Sequence, residues 1–173
     1  MKKLKAVIIV FVLFSLFGFK GQKPLLFKEK KQEKSIPTDF NFVINSGGND
    51  SYNSKYNSFY RKYLEGEKTI KLKLTKEEKE KIYSFIMKID FLKMPVKFQP
   101  KGGIIVITNP SFSERITVYI NGKNKSVVYD TGYTNDLNDK KAKSFLELYE
   151  MIWGILYKKK EIIELPESNF YYE

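Results

Sequence analysis

Histidine and cysteine, the two side chains that carry much of protein chemistry, are both missing from this 173-residue chain. Without histidine it has neither the commonest general base nor the commonest zinc ligand. Without cysteine it has no disulfide framework, no thiolate nucleophile and no thiolate metal site. A phosphate-cradling loop is missing too. Asn124 follows Gly122-Lys123 where a Ser or Thr must hold magnesium, and Gly47-Gly48 follows a strand pattern but opens no helix. No motif calls for a cofactor.

Acidic charge is in deficit, with 20 Asp and Glu against 31 Lys and Arg, a formal net charge of +11. Lys2, Lys3, Lys5 and Lys20 account for four of those charges, and the rest are dispersed among acids. A nucleic-acid partner needs a concentrated basic arm or stripe, so none is expected. For an exported chain, the anions within reach are lipid headgroups, envelope polymers and acidic protein surfaces. Attachment through lysine alone would be lost at moderate salt.

Residues 1–21 have a positive start and then an uncharged run, Ala6 to Phe19, interrupted only by Ser15 and Gly18. This is the pattern of a signal peptide or a signal-anchor. As a helix its 14 residues reach about 21 Å, short of a hydrocarbon core of about 30 Å. Cleavage after Gly21 would put Phe19 in the pocket that wants a small residue, and cleavage after Gly18 does the same with Leu16. Both outcomes stay open: release, or anchoring in the membrane by residues 4–19. In either case the chain is expected outside the cytoplasm. Residues 22–38 read as a charged linker, with KEKKQEK at its centre, and residues 39–173 as a single domain.

Within that domain Phe40, Phe42 and Ile44 alternate with polar residues, as a half-buried strand does. Residues 46–56, rich in Gly, Asn, Ser and Asp, read as a turn or loop. A strand through Phe59, Arg61 and Tyr63 follows, and then the alternation of Ile70, Leu72 and Leu74. Thr75 and Glu78 form a capping box opening a helix whose stripe is Ile82, Phe85, Ile86 and Ile89. Pro95 and Pro100 end it, and the apolar run at 104–107 suits a central strand. Ile116, Val118 and Ile120, then Asn121-Gly122, then Val127 and Tyr129 spell a hairpin. A polar loop leads to a second helix, with Ala142, Phe145, Leu146, Tyr149, Ile152, Trp153 and Leu156 as its stripe. Lys158 to Lys160 complement its C-terminal dipole. The expected architecture is α+β: one antiparallel sheet of five to six strands, both helices on one face, preceded by the hydrophobic leader helix.

Residues 69–86 (TIKLKLTKEEKEKIYSFI), Ile89 to Phe91, Pro95, the VYINGKNKSVVY hairpin, the long C-terminal helix and Leu165-Pro166 together resemble a group of small exported bacterial proteins of unknown function. The likeness covers most of residues 39–166. Its motifs are structural, so it implies a fold and an extracytoplasmic address and lends no catalytic residues. Similar proteins often carry a lipidated cysteine at the end of the leader. Phe19 stands at the comparable position here, so the resemblance implies no lipid anchor.

Two function classes remain. Tyr52, Tyr56, Tyr60, Arg61 and Tyr63 interleave with Asn, Ser and Lys, and amphipathic tyrosines beside adaptable polar residues make a surface for protein or glycan. They are the candidate binding residues of a non-enzymatic interaction module, with a protein or an envelope polymer as partner. The aromatic tail, Phe170 to Tyr172, is a second place for such a surface. The rival is an extracytoplasmic hydrolase using carboxylates, with Asp130, Asp136 and Asp139 as carriers. Asn138 joins those aspartates in one loop, but its spacing is not that of a calcium-binding loop, and no metal site is expected. Glu77, Glu78 and Glu80 interleave with Lys76, Lys79 and Lys81 as an ion-paired helix face.

Overall fold

The computed structural model describes residues 35–98, 113–130 and 139–170. The leader, most of the linker, the run at 104–107, Asp136, Asn138, Tyr171 and Tyr172 lie outside the described residues. The elements run β1 (Asn41–Ser46), β2 (Asp50–Asn53), β3 (Ser58–Tyr63), β4 (Gly66–Lys71), α1 (Lys76–Lys88), a 3-10 turn (Phe91–Lys93), β5 (Lys97–Phe98), β6 (Ser113–Ile120), β7 (Lys123–Asp130), α2 (Lys140–Leu156) and the short α3 (Lys160–Ile163). Among the described residues no helix is long and apolar enough to cross a membrane.

The fold is α+β, as expected, but its sheet is larger and mixed. Seven strands lie in the order β4-β3-β2-β1-β6-β7-β5. Every neighbouring pair is antiparallel except β5 and β7, which run parallel. Two strands were not foreseen. β5 has only two residues, too few for a period to register. β2 lies inside the stretch expected to be loop: tight turns at 47–49 and 54–57 flank four residues that pair on both sides. Its core-facing residues are Asp50 and Tyr52, so no apolar alternation announces it.

Alternate residues of the strands enter one core, except on the edge strand β4, where Ile70 alone is partly covered. Phe42 and Ile44 on the central β1 are fully buried, and the register sets Tyr52, Ile44, Ile116 and Val127 side by side across four strands. Burying one such apolar side chain is worth about 1.5–3 kcal/mol. Tyr52 brings a hydroxyl into this core and satisfies it by donating to the Leu72 carbonyl at 3.0 Å. Burial pushes that phenol up to about 12. The hairpin turns on Asn121 and Gly122, with φ of 50° and 68°, the left-handed pair that a two-residue turn between twisted strands requires.

Both long helices pack into this core. α1 buries Ile82, Tyr83 and Ile86, leaving Phe85 and Ile89 only partly covered, so the helix is rotated toward Tyr83 relative to the expected stripe. Tyr83 meets Phe40 edge to face at 5.1 Å. The capping box is present: the Glu78 amide donates to Thr75 Oγ1 at 3.2 Å, and the Thr75 amide to Glu78 Oε2 at 2.7 Å. α2 buries Leu148 where Leu146 was expected, together with the other six foreseen residues. Lys159 does more than sit near a helix end: its ammonium bonds Glu78 Oε2 at 2.6 Å, tying the exit of α2 to the first turn of α1. Replacing Thr75 with Ala should lower stability by about 1 kcal/mol in urea unfolding, with Thr75→Ser close to wild type.

Candidate functional site

The five candidate binding residues do not share one surface. Tyr52 is buried in the core. Arg61, also on the core face, is 8% exposed and bonds Asp50. Tyr63 donates its hydroxyl to the Pro166 carbonyl at 3.1 Å. Tyr60 points to the opposite face and donates to Glu67 Oε2 at 2.8 Å. Tyr56 is the exposed one, at 61%, on the turn between β2 and β3. Period-2 geometry accounts for the separation, since neighbours along a strand face opposite sides.

Arg61 instead belongs to a polar row crossing one end of the core face. The register sets Arg61, Asp50, Ser46, Glu114 and Tyr129 next to one another on β3, β2, β1, β6 and β7. Arg61 holds Asp50 through two parallel bonds, Nε to Oδ1 at 2.9 Å and Nη2 to Oδ2 at 2.7 Å. Tyr157 donates its hydroxyl to the same Oδ2 at 3.1 Å, and Arg61 Nη1 donates to the Pro166 carbonyl at 3.0 Å. Burial and the Asp50 carboxylate both raise the Tyr157 phenol, while bonding to Asp50 raises Arg61. A cleft of about 200 Å³ opens here, lined by Ser46, Asn49, Asp50, Arg61, Tyr157, Glu167 and Ser168.

Glu114 is the unbalanced member of the row. Its Oε2 is buried without a hydrogen-bond partner, and it faces Ser46, Tyr129, Tyr149 and Glu150. Burial, then the like charge of Glu150, push its carboxyl up to about 7. Tyr149 above it is pushed up to about 12, first by burial and then by Glu114. Its hydroxyl donates to the Asn45 carbonyl at 3.2 Å.

The opposite face of the sheet is polar. Reading across the register, one row is Asn124, Tyr119 and Asn41; the next is Ser126, Thr117, Val43, Asn53, Ser58 and Lys71; a third is Val128, Arg115, Asn45, Ser51, Tyr60 and Thr69. A groove of about 510 Å³ lies at the first two rows, bordered by Tyr119 and Tyr56 and by Lys55 and Lys123. That volume is in the usual range of ligand sites, about 300–1,000 Å³. Asp39, the single carboxylate among its described lining residues, accepts the Gly122 amide at 2.7 Å. That bond, with a second from the Asn121 amide, holds the Asp39 carboxyl below its ordinary value.

Of the carboxylates considered for hydrolysis, Asp130 is ion-paired to Lys97 at 3.0 Å, and Asp139 caps α2 by accepting the amides of Lys141 and Ala142. No three His, Cys, Asp or Glu side chains among the described residues gather as a metal site. Asp50, Glu114, Tyr119 and the groove asparagines are not among the residues that the sequence pattern singles out. The signals were there: Glu114 stands in phase with buried Ile116 and Val118, and Tyr119 stands in the polar phase of the same strand. No protein-family model matches the chain, and no curated protein matches it in sequence.

Two outcomes follow from the polar row. Arg61→Met, which strands Asp50 in the interior, should cost about 3–5 kcal/mol in chemical denaturation, and adding Asp50→Asn should restore part of it. For Glu114, the folded value of about 7 exceeds the ordinary 4.5, so the folded chain keeps a proton that the unfolded chain releases between them. Stability then falls as pH rises through that window. Glu114→Gln should therefore melt above wild type at about pH 8 and converge with it at about pH 5.

Proposed function

We propose that this chain is a non-enzymatic binding module that works outside the cytoplasm, released or tethered through residues 4–19, and holds an envelope macromolecule in the groove on the polar face of its sheet. The observation that carries the reading is the groove itself. It combines two exposed tyrosines with asparagine amides and two lysines, and its one described carboxylate is already bonded to a backbone amide. Such a lining suits binding, and among the described residues it offers no second carboxylate to complete a hydrolytic pair. Tyrosine gives large contact area at low entropic cost, and asparagine adapts its hydrogen bonding.

The address rests on the leader and on the resemblance to small exported proteins. The net charge of +11 favours the anionic polymers of an envelope without the concentrated arm that nucleic acid requires. A carboxylate hydrolase is less well supported, because Asp130 and Asp139 are occupied in an ion pair and a helix cap.

The test is co-sedimentation of the full chain, in mild detergent, with detergent-washed envelope from the producing cell, so that membrane insertion of the leader contributes nothing. Wild type should sediment, and the double variant Tyr56→Ser/Tyr119→Ser should be retained about tenfold less with an unchanged melting temperature. Absence of wild-type binding would refute the reading.

A further inference from the structure

Resting on that reading, we infer that the groove binds polysaccharide, with a sugar ring stacked on Tyr119 and its hydroxyls held by the flanking asparagines. Asn41, Tyr119 and Asn124 occupy adjacent positions on β1, β6 and β7. Two strand spacings make this row about 10 Å wide. A pyranose has apolar C–H faces and a rim of hydroxyls, each able to donate and accept. An aromatic ring bordered by amides answers both parts of that chemistry. Tyr119 is 43% exposed, so the residue is accessible from this face.

Two of the amides are held in one orientation. Asn41 Nδ2 donates to the Asp39 carbonyl at 2.9 Å, which leaves Oδ1 as an acceptor. Asn53 Oδ1 accepts the Lys55 amide at 3.0 Å, which leaves Nδ2 as a donor. Ligand hydroxyls thus meet a fixed acceptor and a fixed donor, and little ordering entropy is lost on binding. Tyr56 offers a second ring at the groove, with the Lys55 ammonium 5.5 Å from its centroid.

Other occupants fit less well. An added peptide strand needs a sheet edge, but β1, β2 and β6 are interior strands paired on both sides. An amphipathic helix needs an apolar trough, whereas Phe42 and Ile120 beneath the groove are buried in the core, and Val43 is the aliphatic residue of the open face there.

The experiment extends the same co-sedimentation to envelope digested beforehand with a wall glycosidase or with protease. Retention should disappear after glycosidase, survive protease and persist at moderate salt. Tyr119→Ala should weaken retention about tenfold and Tyr119→Phe, which keeps the ring, should bind nearly as wild type. Should Tyr119→Ala fold poorly, Asn124→Ala gives the same reading from the row's other side. Binding that survives glycosidase, vanishes with protease or with moderate salt, or ignores Tyr119 would overturn the polysaccharide assignment while leaving a binding module in place. Failure of wild type to sediment with undigested envelope would remove the module reading and this inference together.

Discussion

Asp50 and Arg61 are 6% and 8% exposed, and each is the other's ionic partner in that buried setting. Their bidentate pairing decides how one end of the molecule is built. It joins β2 to β3, draws the Tyr157 hydroxyl onto the carboxylate, and orients the guanidinium to donate to the Pro166 carbonyl. The C-terminal segment is then laid along β3. Tyr63 shares the Pro166 carbonyl, Ser168 Oγ donates to the Lys62 carbonyl at 2.6 Å, and the Lys62 ammonium lies 3.9 Å from the Phe170 ring centroid. A pair of surface charges would be worth almost nothing; this one is costly to break because breaking it leaves a charge in the interior.

From that anchored end the sheet acquires two unlike faces. The core face is apolar through its middle rows and carries a continuous polar row, Arg61–Asp50–Ser46–Glu114–Tyr129, where α2 lays Tyr149 and Tyr157 over it. The other face carries Asn, Ser, Thr and Tyr, which hydrogen-bond water or ligand equally well. Strand pairing supplies the backbone bonds, so the side chains of this face are not fixed by packing in the core.

How much of this was legible follows from what each element buries. β1, β3, the β6–β7 hairpin, both long helices and the capping box have apolar residues at the period of their own geometry, and each stands where the pattern places it. β2 escaped because its inward residues are Asp50 and Tyr52, and the partner that makes Asp50 tolerable is eleven residues away on another strand. A polar residue in an apolar phase is a stronger signal than it looks, and Glu114 repeats it. The tyrosines misled for the opposite reason. Proximity in sequence suggested one surface, whereas strand alternation divides Tyr60 from Arg61, and Tyr56 reaches the groove because it sits on a turn. The groove needed the register, since only strand pairing brings Asn41, Tyr119 and Asn124 into one row.

That register also separates the residues that hold the fold from those of the proposed binding groove. Substitutions at Asp50, Arg61 or Glu114 act on the core face and read out in unfolding. Those at Tyr119, Asn124 or Tyr56 act on exposed side chains, outside the core. Because β1 and β6 contribute to both faces through alternate residues, their backbones are held by the core that the inward side chains build. Two members of the groove are therefore mounted on strands that reach deep into the core, Asn41 on β1 beside Phe42 and Tyr119 on β6 between Val118 and Ile120. A row so placed is held in position without needing a core of its own, which is the preorganisation that the proposed contacts to hydroxyls and a stacked ring require.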